Sequence, residues 1–238
     1  MMSKFDPKNA VSLDTVDPAR MVGFRAARSG VLPCEPSGIG WKLKLILEPV
    51  IAGILVLVLS PLFLAIALAI TVESGLPILF VQPRFGRGGA PFSMFKFRTM
   101  RTHLCDLSGA QQTGDIDPRI TRVGRFLRKT SLDELPQLLN VVSGHMALIG
   151  PRAHPCGMRV QGFLCETLDP RYHDRHVVRT GVTGWAQING SRGAVKSADM
   201  LYRRVSLDLE YIENWTLLMD IRILLRTIVV VAKREQAQ

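Results

Sequence analysis

From Pro49 to Val72 the chain carries no charged residue: PVIAGILVLVLSPLFLAIALAITV. As a helix rising ~1.5 Å per residue, that stretch is about 36 Å long, enough to cross a hydrocarbon core of about 30 Å. Pro61 sits near its middle, directly after Ser60. It has no N–H for the carbonyl of Leu57, and its ring forces the helix apart there. Two arrangements remain: a kinked helix that spans a bilayer, or a helix that breaks and returns to the side it entered. Lys42 and Lys44 precede the segment, Arg84 and Arg87 follow it, and Glu48 and Glu73 bracket it. Positive charge on both sides defines no inside and outside, and this symmetry favours the re-entrant hairpin.

Composition supports a membrane setting. A formal charge of +10 accompanies 47% hydrophobic residues and a slightly positive mean hydropathy. Basic soluble proteins lean hydrophilic, whereas a membrane surface accepts apolar insertion and basic contact together. Nucleic acid is the rival explanation of the charge, but the basic residues lack interleaved aromatics or a recognisable module, so no nucleic-acid partner is expected. The 238 residues suit one folded domain with a tail, or two small ones. Cys34, Cys105, Cys156 and Cys165 have neither metal-knuckle nor redox-pair spacing, which points to a reducing compartment. The N-terminus lacks the apolar block of a signal peptide. Residues 1–40, rich in Pro and Gly, read as a poorly ordered leader with a short helix near 19–28.

Beyond the apolar segment, residues 76–100 read as two short strands around Gly86-Arg87-Gly88-Gly89, a small hairpin. A polar loop is expected near 106–118. Arg119, Arg122, Arg125 and Arg128 recur every third residue, which on a helix makes a basic ridge beside an apolar one. Leu135–Pro151 lacks charge and reads as a buried helix ending near Gly144, followed by a short strand or turn into Gly150-Pro151-Arg152. From Tyr211 onward the sequence reads as one amphipathic helix, with Trp215 suited to a bilayer interface or the whole helix to the core. The expected fold is therefore α+β and mainly helical.

Three groups of residues carry possible chemistry. Asp133 and Glu134 are adjacent carboxylates beside Arg128 and Lys129, a pairing in which one acts as nucleophile or base and the other holds Mg²⁺. Ser131-x-x-Glu134 equally fits a capping box at a helix start, and both readings can hold together. Lys96, Arg98, Arg128 and Arg152 form a cationic set suited to phosphate. The loop from Gly181 to Gly193 offers Trp185, Gln187, Asn189 and Arg192 to a nucleotide or sugar, although it matches no phosphate-loop pattern. His173 and His176 lack a metal partner at ligand spacing and read as structural or solvated.

The apolar segment with its central Ser-Pro, then KFRTM, DPRITRVGRFLRKTSLDELPQLLNVVSG, GPR and GVTGWAQING, in that order, resemble the bacterial sugar transferases. These are monotopic polyprenyl-phosphate phosphoglycosyl transferases, and the resemblance covers about residues 42–232. It implies a re-entrant helix–break–helix at Ser60-Pro61, amphipathic interfacial helices and a seat on the cytoplasmic face of the bacterial inner membrane. The implied divisions are a leader at 1–40, the re-entrant helix at 41–75 and a catalytic domain at 76–238. The implied reaction moves a sugar-1-phosphate from a UDP-sugar to undecaprenyl phosphate and releases UMP, an initiating step of exopolysaccharide or other glycan synthesis. Glucose or galactose is the implied sugar, and membrane lipids are implied partners. By motif, Asp133 is the implied nucleophile and Glu134 the implied Mg²⁺ ligand. Lys96, Arg98, Arg128 and Arg152 line the implied phosphate site, with Gln187 and Arg192 as further substrate contacts. Three positions depart from the family pattern: Ala153 where proline is usual, Thr180 where proline precedes Gly181, and Leu47-Glu48 where Phe-Asp is common. None of these removes an implied catalytic group. The competing reading is a non-enzymatic membrane scaffold whose Asp-Glu pair only caps a helix.

Overall fold

The computed structural model describes residues 34–101 and 117–232. The helix expected near 19–28, most of the expected leader, Cys105 and most of the polar loop near 106–118 fall outside those residues. Helix α1 (Ile39–Val58) and helix α2 (Ser60–Ser74) are bent by 62° about Leu59. Pro61 lies in the first turn of α2, where a missing N–H leaves no intrahelical bond unmade. Ser60 Oγ donates to the Leu57 carbonyl at 2.8 Å, supplying the bond that Pro61 cannot. Among the described residues no single helix is long and apolar enough to cross a bilayer, and the bent pair meets that criterion only when taken together.

The buried residues of α1 are Trp41, Lys44, Glu48 and Ala52, spaced as one helical stripe. Apart from Lys42, the exposed positions are aliphatic, among them Ile39, Leu43, Ile46, Leu47, Val50, Ile51, Ile54, Leu55, Leu57 and Val58. The helix thus hides a lysine and a glutamate while presenting aliphatic side chains outward, the inverse of a soluble amphipathic helix. Lys44, read from sequence as a charge flanking the apolar segment, is 3% exposed and turned into the protein.

Strands β1 (Leu79–Phe85) and β2 (Pro91–Phe97) form the expected antiparallel hairpin, in register Phe80↔Lys96 and Gln82↔Met94. The chain reverses between them through a tight turn at Arg87–Gly89, where Gly88 and Gly89 both take positive φ. Helix α3 (Arg122–Thr130) follows, N-capped by Thr121 Oγ1 on the Gly124 N–H. The four-arginine ridge is therefore only three long. Arg119 precedes the helix and pairs with Asp117 at 2.6 Å, because Thr121 starts the helix after it. Next come helix α4 (Gln137–Val142), a turn at Gly144 and strand β3 (Met146–Ile149), close to expectation.

After the short hairpin β4 (Arg159–Val160) and β5 (Phe163–Leu164) and helix α5 (Cys165–Leu168), a turn over Tyr172–Val177 leads into β6 (Thr180–Thr183). Strand β6 pairs parallel to β3. Helix α6 (Trp185–Ile188) and helix α7 (Ala198–Glu213) follow, then helix α8 (Leu217–Ala232). The single helix expected from Tyr211 is thus two. Asn214 Nδ2 donates to Glu210 O and closes α7, and Thr216 Oγ1 accepts from Met219 N and opens α8. Trp215, in the break, stacks edge-on against Trp41 at 4.8 Å and donates to Asp220, so its ring faces the protein. Helix α8 still exposes Leu218, Ile221, Leu224, Leu225, Ile228 and Val229.

The bent pair contributes to every hydrophobic cluster. Trp41 packs with Ile149, Tyr211 and Ile223, Ala52 with Phe92, Leu138 and Met146, and Ile66 and Ile70 with Phe97 and Leu127. The apolar segment is therefore a structural part of the domain, with one side packed and the other open.

Candidate active site

Ser131 ends α3 and is followed by a tight turn, Leu132–Glu134, that presents Asp133 and Glu134 side by side. Neither Ser131 nor Glu134 makes the reciprocal capping bonds that their spacing allows. The Ser131 side chain caps nothing in the turn, and Glu134 reaches across to two cations. Lys96 Nζ donates to Glu134 Oε1 at 2.7 Å, and Arg152 grips both carboxylate oxygens of the same residue. Asp133 is 9% exposed, and among the described residues its nearest cation is Lys96, at 3.9 Å.

These contacts split the two carboxyls. Burial raises the pKa of Asp133, Lys96 opposes that shift, and the negative Glu134 beside it adds to the rise. Burial works against Glu134 as well, but there Arg152 and Lys96 prevail and hold it well below the ordinary carboxylate range. Glu134 is the neutralised anion of the pair, and Asp133 is the under-paired one.

Arg152 is aimed by a turn held on both sides. Toward β6, Gly150 N donates to Thr183 O and Gly181 N to Pro151 O, at 2.9 and 2.8 Å. Toward β1, Phe85 N donates to His154 O, and Arg84 Nη1 donates to Ala153 O at 2.7 Å. Arg175, fully buried and paired with Asp208, donates to Arg152 O at 2.5 Å. Ala153 is itself 2% exposed within the apolar cluster around Phe92. Gly181 and Gly184 of the 181–193 loop serve this contact. A Cβ at Gly181 would lie 2.1 Å from Gly150 N, and one at Gly184 2.1 Å from Gly150 O. Gly181→Ala is accordingly expected to displace the Arg152 turn and lower turnover about tenfold or more. Wild-type kinetics in that variant would show that the two backbones need not touch.

Arg128 comes from the last turn of α3, its Nε donating to Thr99 Oγ1 at 2.8 Å. Helix α3 can approach Thr99 only because residue 124 is glycine; a Cβ there would sit 2.1 Å from Thr99 O. Arg98 turns the other way, donating to Ser74 Oγ and Gly75 O, so it caps the end of α2 while also bordering the cavity. Arg192 reaches the site and donates to Ser131 Oγ at 2.7 Å. Gln187 does not border the cavity; it is buried beneath the loop, with Nε2 toward Val182 O. Asn189 is spent on Trp185 O, and Trp185 lies under Arg222. His176 is buried against Phe85 and Tyr172, a structural position. Ser60 and Pro61 lie at the helix break, away from these residues.

Lys96, Arg98, Arg128, Asp133, Glu134, Arg152 and Arg192 border one cavity of about 380 Å³. Among the described residues its wall holds eight Lys and Arg side chains against two carboxylates, a lining suited to a multiply charged anion. Arg84, Gln82, Arg204 and His154 also border it and were not singled out from sequence. Phe80, Gln82 and Arg84 share one face of β1, so strand periodicity was the available signal. Among the described residues no three His, Cys, Asp or Glu side chains share a metal-binding point. Among the described residues the carboxylates on the cavity wall are Asp133 and Glu134, a pair that suits a cation taking its remaining ligands from phosphate and water, as Mg²⁺ does.

Residues 39–234 match the family model described as bacterial sugar transferase. An exopolysaccharide production protein of Rhizobium leguminosarum bv. phaseoli is 50% identical over 173 residues, 73% of this chain and 86% of that protein. An undecaprenyl-phosphate glucose phosphotransferase of Komagataeibacter xylinus is 51% identical over 74% of this chain and 33% of its own length. A UDP-glucose:undecaprenyl-phosphate glucose-1-phosphate transferase of Escherichia coli (strain K12) is 43% identical over 81% of this chain and 40% of its own length. The chain thus spans most of the first relative and about a third to two fifths of the other two.

Proposed function

The chain belongs to the bacterial sugar transferases, and we propose that it transfers glucose-1-phosphate from UDP-glucose to undecaprenyl phosphate, releasing UMP, to begin an exopolysaccharide. The carrying observation is a buried, under-paired carboxylate inside a strongly cationic cavity. Relatives named for UDP-glucose and for exopolysaccharide production support the donor and the pathway.

In this reading an Asp133 carboxylate oxygen attacks the sugar-bearing phosphorus of the donor. The bond from that phosphorus to the bridging oxygen breaks, and UMP leaves with the electron pair. The aspartyl phosphosugar then accepts attack by an oxygen of undecaprenyl phosphate, which forms the lipid diphosphate and returns the Asp133 carboxylate. Lys96, Arg128 and Arg152 neutralise the phosphates while charge shifts toward the leaving group. Glu134, with Asp133, would hold Mg²⁺, which when bound offsets the charge of the diphosphate.

The bent helix pair supports a re-entrant seat in one leaflet. Both ends are fastened to the same domain: Lys44 to the Ile149 carbonyl, and Glu73 to the N–H groups of Arg122 and Val123 at 2.7 and 2.9 Å. At ~1.5 Å per residue the arms are about 30 and 22 Å long. A 62° bend then sets the break roughly 13 Å from the line joining their outer ends, a little under half of a ~30 Å hydrocarbon core. The exposed apolar faces of α1, α2 and α8, with Arg122, Arg125 and Lys129 exposed on α3, suit the cytoplasmic side of that leaflet.

The test is UMP release from a panel of UDP-sugars in nanodiscs with Mg²⁺. UDP-glucose is expected to be the best donor, and without undecaprenyl phosphate the enzyme should release about one equivalent of UMP and gain the mass of a hexose phosphate on Asp133. A folded, membrane-bound protein that releases no UMP from any donor would defeat the proposal.

A further inference from the structure

Two residues before Asp133, Ser131 holds a left-handed backbone, φ 58° and ψ 15°. That region is unfavourable for serine, and residues kept there tend to mark functional positions. The backbone has a clear task. Ser131 N donates to Arg128 O at 3.2 Å, and Ser131 O accepts from Glu134 N at 3.3 Å, so the residue turns the chain from α3 into the carboxylate turn. Glycine would make that turn with less strain, so the turn alone does not account for the side chain.

The hydroxyl is on the cavity wall, and among the described residues its one protein hydrogen bond is the one it accepts from Arg192. A hydroxyl has one proton and two lone pairs. With a guanidinium on one lone pair, the proton is left to donate, and donation is strengthened by the positive charge on the oxygen's other side. Arg192 is paired with no carboxylate among the described residues, so its charge is not spent elsewhere in the site.

We propose that Ser131 is a further substrate-binding residue, whose hydroxyl, polarised by Arg192, donates a hydrogen bond to a non-bridging oxygen of the phosphoryl group under attack by Asp133. This rests on the phosphosugar-transfer reading above. Arg192 then acts as a positioning residue, through Ser131.

Ser131→Gly and Ser131→Ala separate the hydroxyl from the backbone, because glycine keeps the left-handed turn and alanine does not favour it. Both are expected to lose about 100-fold in kcat/KM for UMP release, the scale of one oxyanion donor, and to bind inorganic pyrophosphate about tenfold more weakly by calorimetry. Ser131→Gly should melt no lower than wild type. Arg192→Met should cost little more once Ser131 is alanine, since the guanidinium works through the hydroxyl. Wild-type turnover and pyrophosphate affinity in Ser131→Gly would overturn the proposal, and additive losses in the double variant would overturn the part given to Arg192. If the wild type released no UMP from any donor, the transfer reading would fall. The pyrophosphate titration would then decide alone: weaker binding by Ser131→Gly would sustain a phosphate-binding hydroxyl, and unchanged binding would refute it.

Discussion

Asp133→Asn is expected to lower kcat for UMP release at least about 10³-fold while leaving the melting temperature close to wild type, the pattern of a lost nucleophile. The substitution is nearly isosteric and breaks no close ion pair among the described residues, where the nearest cation to Asp133 is Lys96 at 3.9 Å. The contrast with Glu134 makes the expectation specific. Glu134 neutralises Lys96 and Arg152, so Glu134→Gln should reduce activity less at saturating Mg²⁺ but loosen both cations.

The same pair sets a pH signature. Asp133 must be ionised to attack, and burial raises its pKa. Activity should therefore be full at neutral pH and fall as acid protonates Asp133, with the midpoint of kcat/KM above the ordinary carboxylate range of about 4. Glu134 is held well below that range by Arg152 and Lys96 and stays ionised throughout the same interval. Removing its charge in Glu134→Gln removes a neighbour that raises Asp133, so the acid limb should move to lower pH. An acid limb unmoved by Glu134→Gln, or a Asp133→Asn variant within tenfold of wild type, would take the nucleophile role away from Asp133.

How far the chain could be read in advance depended on the range of the interactions. The break at Ser60-Pro61, the Gly86–Gly89 reversal, the helix ending near Gly144 and the Asp133-Glu134 pair are local: each follows from a residue's own backbone or its immediate neighbours. The break between α7 and α8 was also written locally, in the Asn214 and Thr216 that flank Trp215, but the apolar run around them reads as continuous helix. What sequence could not supply was which cation faces which carboxylate. Lys96 lies on β2 and Arg98 just past its end, two residues apart, yet they reach different partners, Lys96 Glu134 and Arg98 the end of α2. Gln187 looks as available as Arg192 in the loop, yet the folded loop buries it, with its Oε1 close to Gly184. The buried pairing of Arg175 with Asp208, and its bond to the Arg152 carbonyl, joins positions far apart in the chain with no periodic mark.

Lys44→Met should destabilise the protein by about 3–5 kcal/mol, because it leaves two buried carboxylates without their cation. Lys44 Nζ lies 2.7 Å from Glu48 and 2.8 Å from Asp220, and it donates to the Ile149 carbonyl at 2.9 Å. Glu48 accepts from Ile149 N at 3.1 Å, Tyr211 and Trp215 donate to Asp220, and the single Tyr211 hydroxyl proton is shared between Asp220 at 2.8 Å and Ile149 O at 3.2 Å. Side chains from α1 and α7 thus grip both backbone groups of the residue three positions before Arg152, and Asp220 of α8 holds Lys44 and Tyr211 in place. In a domain of this size the loss should lower the melting temperature by roughly 10 °C. The triple variant Lys44→Met, Glu48→Gln, Asp220→Asn should recover much of it, because no uncompensated charge then remains in the interior. Thermal unfolding in nanodiscs distinguishes these cases, and a Lys44→Met variant melting within 1–2 °C of wild type, on the same scale, would mean that the tie is not what fastens α1 to the domain. Turnover should follow stability in the single variant, since a loosened Ile149 frees the turn that aims Arg152 at Glu134. If activity instead survives a large fall in melting temperature, the clamp from β1 and β6 is sufficient by itself to hold Arg152 in place.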